Sequence, residues 1–149
     1  KKEFYPYYKV DGKWTAGSLL ESLIKNNLSC FYKQEYLPKK GLILIVEGEK
    51  CCDAVFEKLG IYCTTPPGFG WSDKWLQEKL KHFRHNELLV LPDHDSVGKK
   101  KAYSFQKNCW KQRVPCTIKF MPSLFNEEKD IADLTLEEIQ IFKRNFKWI

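Results

Sequence analysis

Leu42-Ile43-Leu44-Ile45-Val46-Glu47-Gly48-Glu49 decides the fold. Five aliphatic residues in a row, with no polar alternation, are what a strand buried on both faces requires. The period then changes. Over 49–59, Cys52, Val55, Phe56 and Leu59 recur at helical spacing on one side, and Lys50, Asp53 and Glu57 on the other. Gly60 supplies the stop.

The same alternation continues downstream. Ile61 to Thr65 reads as a second strand, ended by Pro66-Pro67-Gly68. Ser72 caps a helix in which Leu76, Leu80 and Phe83 line up. Glu87 to Leu91 is a third strand. A helix over about 97–111 follows, with Ala102, Phe105 and Cys109 on its inner face. Cys116 to Met121 is a fourth strand. Thr135-x-x-Glu138 is a capping box that opens a last helix, acidic at its start (Glu137, Glu138) and basic at its end (Lys143, Arg144, Lys147). Strands alternating with helices predict βαβ units: an α/β protein with an about four-stranded, mainly parallel sheet and helices on both faces.

Upstream of the aliphatic run the composition changes near Pro38-Lys39-Lys40-Gly41, which places a seam there. Residues 1–40 read as a small N-terminal appendage, and 41–149 as the main domain. In the appendage, Tyr7-Tyr8-Lys9 and Lys13-Trp14-Thr15 flank an Asp11-Gly12 turn signal, which suggests a hairpin. A short helix is expected from Ser18 to about Leu28.

The 149 residues suit one domain, and 43% apolar with 15% aromatic residues can fill its core. With 30% charged residues, the chain is neither disordered nor built around a membrane span. The net charge of +6, carried by 22 Lys and three Arg, is compatible with a polyanion partner. Six cysteines include no C-x-x-C pair, so no zinc ribbon is encoded here. Reduced thiols on apolar faces point to a reducing compartment, and the expected location is cytoplasmic. Lys1-Lys2-Glu3-Phe4 has neither an initiating Met nor a signal h-region, and reads as the start of a fragment of a longer protein.

In an open parallel sheet, ligands gather at the carboxyl ends of the strands. Three acidic groups fall at such ends: Glu47 after the first strand, Asp93 and Asp95 after the third, and Asp130 and Asp133 after the fourth. In extended chain, residues two apart point the same way, so Asp93 and Asp95 repel unless a cation sits between them. Oxygen donors without organised Cys or His suit Mg²⁺ or Mn²⁺.

These residues, in this order, resemble the Toprim domain, which primases of bacteria and phages, topoisomerases and some nucleases share. The resemblance runs from about Leu42 to Leu134. Ile43-Leu44-Ile45-Val46-Glu47-Gly48-Glu49-Lys50 is similar to the family's strand-then-Glu-Gly motif. Leu91-Pro92-Asp93-His94-Asp95-Ser96-Val97-Gly98 is similar to its Asp-x-Asp motif, followed by a Gly that opens a helix. Lys129-Asp130-Ile131-Ala132-Asp133-Leu134 is similar to the Lys-Asp-x-x-Asp segment of phage and plasmid primases. Tyr7-Tyr8-Lys9-Val10-Asp11-Gly12-Lys13-Trp14 resembles the stretch before Toprim in primase–helicase proteins of mobile elements.

The resemblance implies a Rossmann-like sheet and Mg-dependent nucleotidyl transfer, which makes RNA primers in DNA replication. Glu47 would be the general acid/base and share in metal binding. Asp93 and Asp95 would bind Mg²⁺ or Mn²⁺. Asp130 and Asp133 would help hold a second metal or the nucleotide. The implied partners are a single-stranded DNA template, nucleoside triphosphates and a helicase domain or subunit. A Toprim nuclease using the same carboxylates, or a non-catalytic binding module, is the alternative. Cys51 stands where many primases carry an acid, and a thiol is a poor Mg²⁺ ligand. From the residues themselves, Lys99-Lys100-Lys101, with Lys107, Lys111 and Arg113, makes a basic helix suited to phosphates. Lys50 joins them at the first motif. Trp71, in the Pro67-Gly68-Phe69-Gly70-Trp71 loop, is the candidate base-stacking ring.

Overall fold

The computed structural model describes residues 7–10, 13–16, 30–68, 70–93, 95–120 and 131–146. They divide into two compact units, Lys1–Cys30 and Phe31–Ile149. In the first, β1 (Tyr7–Val10) pairs antiparallel with β2 (Lys13–Ala16), in the register from Tyr7↔Ala16 to Val10↔Lys13, as the expected hairpin requires. The helix expected over 18–28 lies outside the described residues.

The second unit is the α/β domain. Its sheet contains β3 (Gly41–Ile45), β4 (Cys63–Thr64), β5 (Asn86–Val90) and β6 (Cys116–Ile118) in the order β4-β3-β5-β6. Every pairing is parallel, with Leu44↔Cys63, Ile43↔Leu88 and Leu89↔Thr117 in register. Four helices flank it: α1 (Glu49–Leu59), α2 (Asp73–Lys79), α3 (Ser96–Lys111) and α4 (Leu136–Phe146). The architecture is Rossmann-like.

The aliphatic run is buried on both faces because its side chains alternate between two cores. Leu44 and Val46 pack with Leu89 and Leu91 against Cys51, Cys52 and Val55 of α1 and Ile139 and Phe142 of α4. Ile43 and Ile45 pack with Leu88 and Val90 against Leu76 of α2 and Ala102, Phe105 and Cys109 of α3. Thus α1 and α4 cover one face, and α2 and α3 the other. Gly60 ends α1 in the left-handed region at φ 69°, as its place after the last helical residue implied. Phe56 departs from expectation. It is more than half exposed, because its ring leans on Tyr62 beside the edge strand instead of on the sheet.

The seam expected at 40/41 falls ten residues earlier. Phe31 is fully buried in the second core, among Trp75, Phe83 and Phe105. The Tyr32 amide donates to the Thr65 carbonyl, and Thr64 Oγ1 donates to the Tyr32 carbonyl. Buried Asn86 donates to the carbonyls of Pro38 and Gly41, fixing the turn that leads into β3. Residues 31–40 therefore belong to the α/β unit. Sequence periodicity missed them because a 3₁₀ turn at Gln34–Tyr36 has too few residues to show a period.

The Thr135 capping box forms in both directions. The Thr135 amide donates to Glu138 Oε2 at 2.8 Å, and the Glu138 amide donates to Thr135 Oγ1 at 3.3 Å. Thr135→Ala should cost about 1 kcal/mol. Urea unfolding of the variant will measure this, and Thr135→Ser should keep most of the stability.

Among the described residues, no helix is long and apolar enough to cross a membrane.

Candidate functional site

The neighbours β3 and β5 send their helices to opposite faces, α1 to one and α3 to the other. Between two such strands the loops diverge and leave a crevice at the carboxyl edge, where open α/β sheets bind ligands. Glu47 follows β3, and Asp93 and Asp95 follow β5, so the first two motifs meet at this crevice.

Gly48 turns the chain from β3 into α1. Its φ of 99° and ψ of 149° suit glycine and strain other residues. Its amide donates to Thr65 Oγ1 at 3.2 Å, which pins this loop to the one after β4. Glu47 is thereby held at the edge with its side chain only 11% exposed. Oε2 accepts from Lys101 Nζ at 2.5 Å. Oε1 is buried and accepts no hydrogen bond from the described residues. A buried carboxylate oxygen without a donor is costly, on the order of 1–3 kcal/mol. It is a lone pair waiting for a proton donor or a cation.

Gly98 clears the space in front of it. A Cβ there would stand 2.7 Å from Glu47 Oε1, 2.6 Å from the Asp93 carbonyl oxygen and 3.0 Å from the Asp93 amide nitrogen. Any side chain would collide with the backbone of one motif and the carboxylate of the other. Gly98 is required for this close approach. Asp95 is the N-cap of α3, with Oδ1 accepting from the Gly98 amide at 2.6 Å. One of its oxygens therefore serves the helix terminus, which favours negative charge in any case.

Lys101 belongs to the basic run read as a phosphate track, but its pairing with Glu47 was not foreseen. It lies one turn beyond Gly98 and one turn before buried Phe105, so it points inward while Lys99 and Lys100 are exposed. That register is the signal that could have found it. Its ammonium also stands 5.7 Å from the Trp71 ring centroid, within cation–π range. Trp71 in turn packs on Phe105, with ring centroids 5.7 Å apart. The expected stacking ring thus roofs Lys101 and is half-buried.

The other predicted residues fall elsewhere. Asp133, in the 3₁₀ turn Ile131–Asp133, reaches the first turn of α1, with Oδ1 3.6 Å from Lys50 Nζ. Both are largely exposed, so the pair adds little stability. Asp130 lies outside the described residues. Lys99, Lys100, Lys107 and Lys111 are all exposed on α3. Cys51 is buried in the core under α1 and turns away from the crevice. Burial, and then the neighbouring Cys52, push the Cys63 thiol up. The hydrogen bond with Cys116, and then burial, do the same for Cys109. Both stay protonated, and a protonated thiol is neither a nucleophile nor a good metal ligand. A groove lined by Lys33, Tyr36, Leu37, Phe56, Tyr62 and Cys63 gathers none of the predicted site residues.

Among the described residues, no three carboxylate, imidazole or thiol groups stand close enough together to form a ready-made metal centre. Glu47, Asp93 and Asp95 offer oxygen donors alone, which suit a hard cation such as Mg²⁺ or Mn²⁺. Glu47 Oε1, without a donor among the described residues, is the observation at this edge that suits such an ion.

No protein-family model matches this chain, and no curated protein matches it closely enough to count as a relative.

Proposed function

We propose that this chain is the Toprim core of a DNA primase, a nucleotidyltransferase that makes RNA primers on single-stranded DNA for a phage, plasmid or other mobile element. Glu47 carries the reading. Its buried carboxylate has one oxygen without a donor, at the switch point of a parallel sheet, beside an Asp-x-Asp loop cleared by a glycine.

A bound Mg²⁺ or Mn²⁺ supplies charge neutralisation on a transferring phosphoryl group. Asp93, the second carboxylate oxygen of Asp95 and Glu47 Oε1 are the groups that would hold the ion. Glu47 would accept the proton of the attacking hydroxyl through Oε2, once Lys101 has left it for a phosphate oxygen. Lys101 balances that charge before substrate arrives and is placed to meet a phosphate oxygen afterwards. Nucleoside triphosphates and a template strand are the substrates, with a helicase domain or subunit as the associated machine. A nuclease would use the same groups, with water in place of the hydroxyl, and ribonucleotide extension against phosphodiester cleavage separates the two.

The Lys101–Glu47 ion pair favours a second reading. A carboxylate already neutralised by an ammonium belongs also to a module that keeps the fold and binds nucleic acid or a partner without catalysis.

Mn²⁺ calorimetry decides between catalytic core and inert module. Asp93→Asn/Asp95→Asn is the matched variant, since Asn keeps the cap on α3. The expected result is binding by the wild type and at least a tenfold weaker affinity in the variant. Silence in the wild type, with and without a nucleoside triphosphate, would overturn the catalytic reading.

A further inference from the structure

The outer face of α3 carries side chains that neither the sheet nor the carboxylate edge uses. Lys100, Tyr103, Lys107 and Trp110 follow at alternating spacings of three and four, which places them on one stripe. Tyr103 is 57% exposed and Trp110 63%. Phe120, just beyond β6, adds a third ring, 38% exposed and 6.1 Å from Tyr103 by centroid at an interplanar angle of 54°. The helix runs for 16 residues with five lysines and no acidic residue. Asp73 of α2 faces its outer side, as Glu47 faces Lys101. Hydrogen bonds from Asn108 and Ser104 hold the Asp73 carboxyl below the usual range, and it offsets part of the charge of Lys111 and Lys107.

We infer that this stripe is a binding track for single-stranded nucleic acid, with bases stacked on Tyr103, Trp110 and Phe120 and phosphates met by Lys100 and Lys107. Alternation is the argument. A solvated helix face needs lysines but no exposed indole, and a protein contact needs rings but not a row of ammonium groups. Rings interleaved with lysines match a strand that presents a π-face and a negative charge at every nucleotide. Duplex offers the same phosphates with its bases stacked inside, so the rings discriminate against it. The stripe starts at Lys100, next to Lys101, and runs away from the Glu47 crevice. It would therefore lead a strand to or from that crevice. This use rests on the phosphodiester reading of the site, but the binding itself does not.

Fluorescence anisotropy with a labelled oligothymidylate of about 12 nucleotides tests the track, in chelator so that the carboxylate edge plays no part. The expected result is binding that duplex of equal length competes for at least tenfold less well. Tyr103→Ala/Trp110→Ala should weaken it tenfold or more with the salt dependence kept. Lys100→Gln/Lys107→Gln should lower the slope of log affinity on log salt by about 1.4. All four side chains are exposed, so the variants should fold, and circular dichroism checks that. Equal affinity for duplex, or an aromatic variant that binds like the wild type, would overturn the proposal. So would a wild type that ignores the oligonucleotide but self-associates through these rings in sedimentation. Because metal binding is read without nucleic acid and this track without metal, each can fail alone.

Discussion

Phe31→Ala is expected to destabilise the α/β unit by about 3–5 kcal/mol, the usual cost of deleting a buried aromatic ring. The ring has no exposed surface and stands at centroid distances of 5.0 Å from Trp75 and 4.8 Å from Phe83, edge-on to the latter. It plugs the second core where 3₁₀ residues Leu80–Phe83 and helix α3 meet the sheet. Such edge-to-face pairs add about 0.5–1.5 kcal/mol beyond their area. Against a total stability of about 5–15 kcal/mol, the loss is large enough to lower the melting temperature by roughly 10–20 °C. A chain that begins at Gly41 should melt as early as the variant or earlier, since it also lacks the Tyr32 bonds to Thr64 and Thr65. Thermal unfolding followed by circular dichroism measures both. A loss under about 1 kcal/mol would return residues 31–40 to the appendage.

That result concerns a residue the sequence did not mark. Phe31 sits in a stretch with no period, and an isolated aromatic has no face until the chain around it folds. The sheet was legible because Ile43-Leu44-Ile45-Val46 feeds two cores at once, and only a strand between two helical layers needs that. Helix α1 could be bounded from Glu49 to Leu59 because Gly48 and Gly60 each hold a positive φ at its ends. Helix α2 runs on as a 3₁₀ turn over Leu80–Phe83, yet Leu76, Leu80 and Phe83 all stay buried. Apolar spacing reports the buried face and is blind to which hydrogen-bond pattern presents it. Glu47 and Asp93 could be placed at one edge from strand order alone, since parallel strands end on the same side. Asp95 was legible as a carboxylate two residues from Asp93, and its duty as N-cap three residues before Gly98 was not read. The structure shows the second duty. In Lys99-Lys100-Lys101 only the register with Gly98 and Phe105 distinguishes the inward lysine, and a charge run hides that register from a reader counting charge.

Lys101→Met should raise Mn²⁺ affinity about tenfold and lower stability in chelator, two effects of opposite sign from one substitution. In the wild type the ammonium holds Glu47 Oε2, and a divalent ion arriving at Oε1 meets a positive charge a few ångströms away. Two like charges near a protein surface repel by kilocalories per mole at such range, and solvent reaching Lys101, whose side chain is 38% exposed, reduces this to roughly 1–2 kcal/mol. Methionine keeps the stem that packs beneath Trp71 and removes the charge. Without metal, Glu47 then has neither oxygen satisfied, a cost of about 1–3 kcal/mol. The melting curves should cross: the variant melts below the wild type in chelator, and saturating Mn²⁺ stabilises it more than it does the wild type. Lys101→Arg, which keeps the charge, should do neither. An affinity that falls in Lys101→Met would mean that the ammonium orients Glu47 for the ion instead of competing with it. The ion pair would then be part of the assembled site, and the second reading, a carboxylate retired by its own lysine, would lose the observation that favours it.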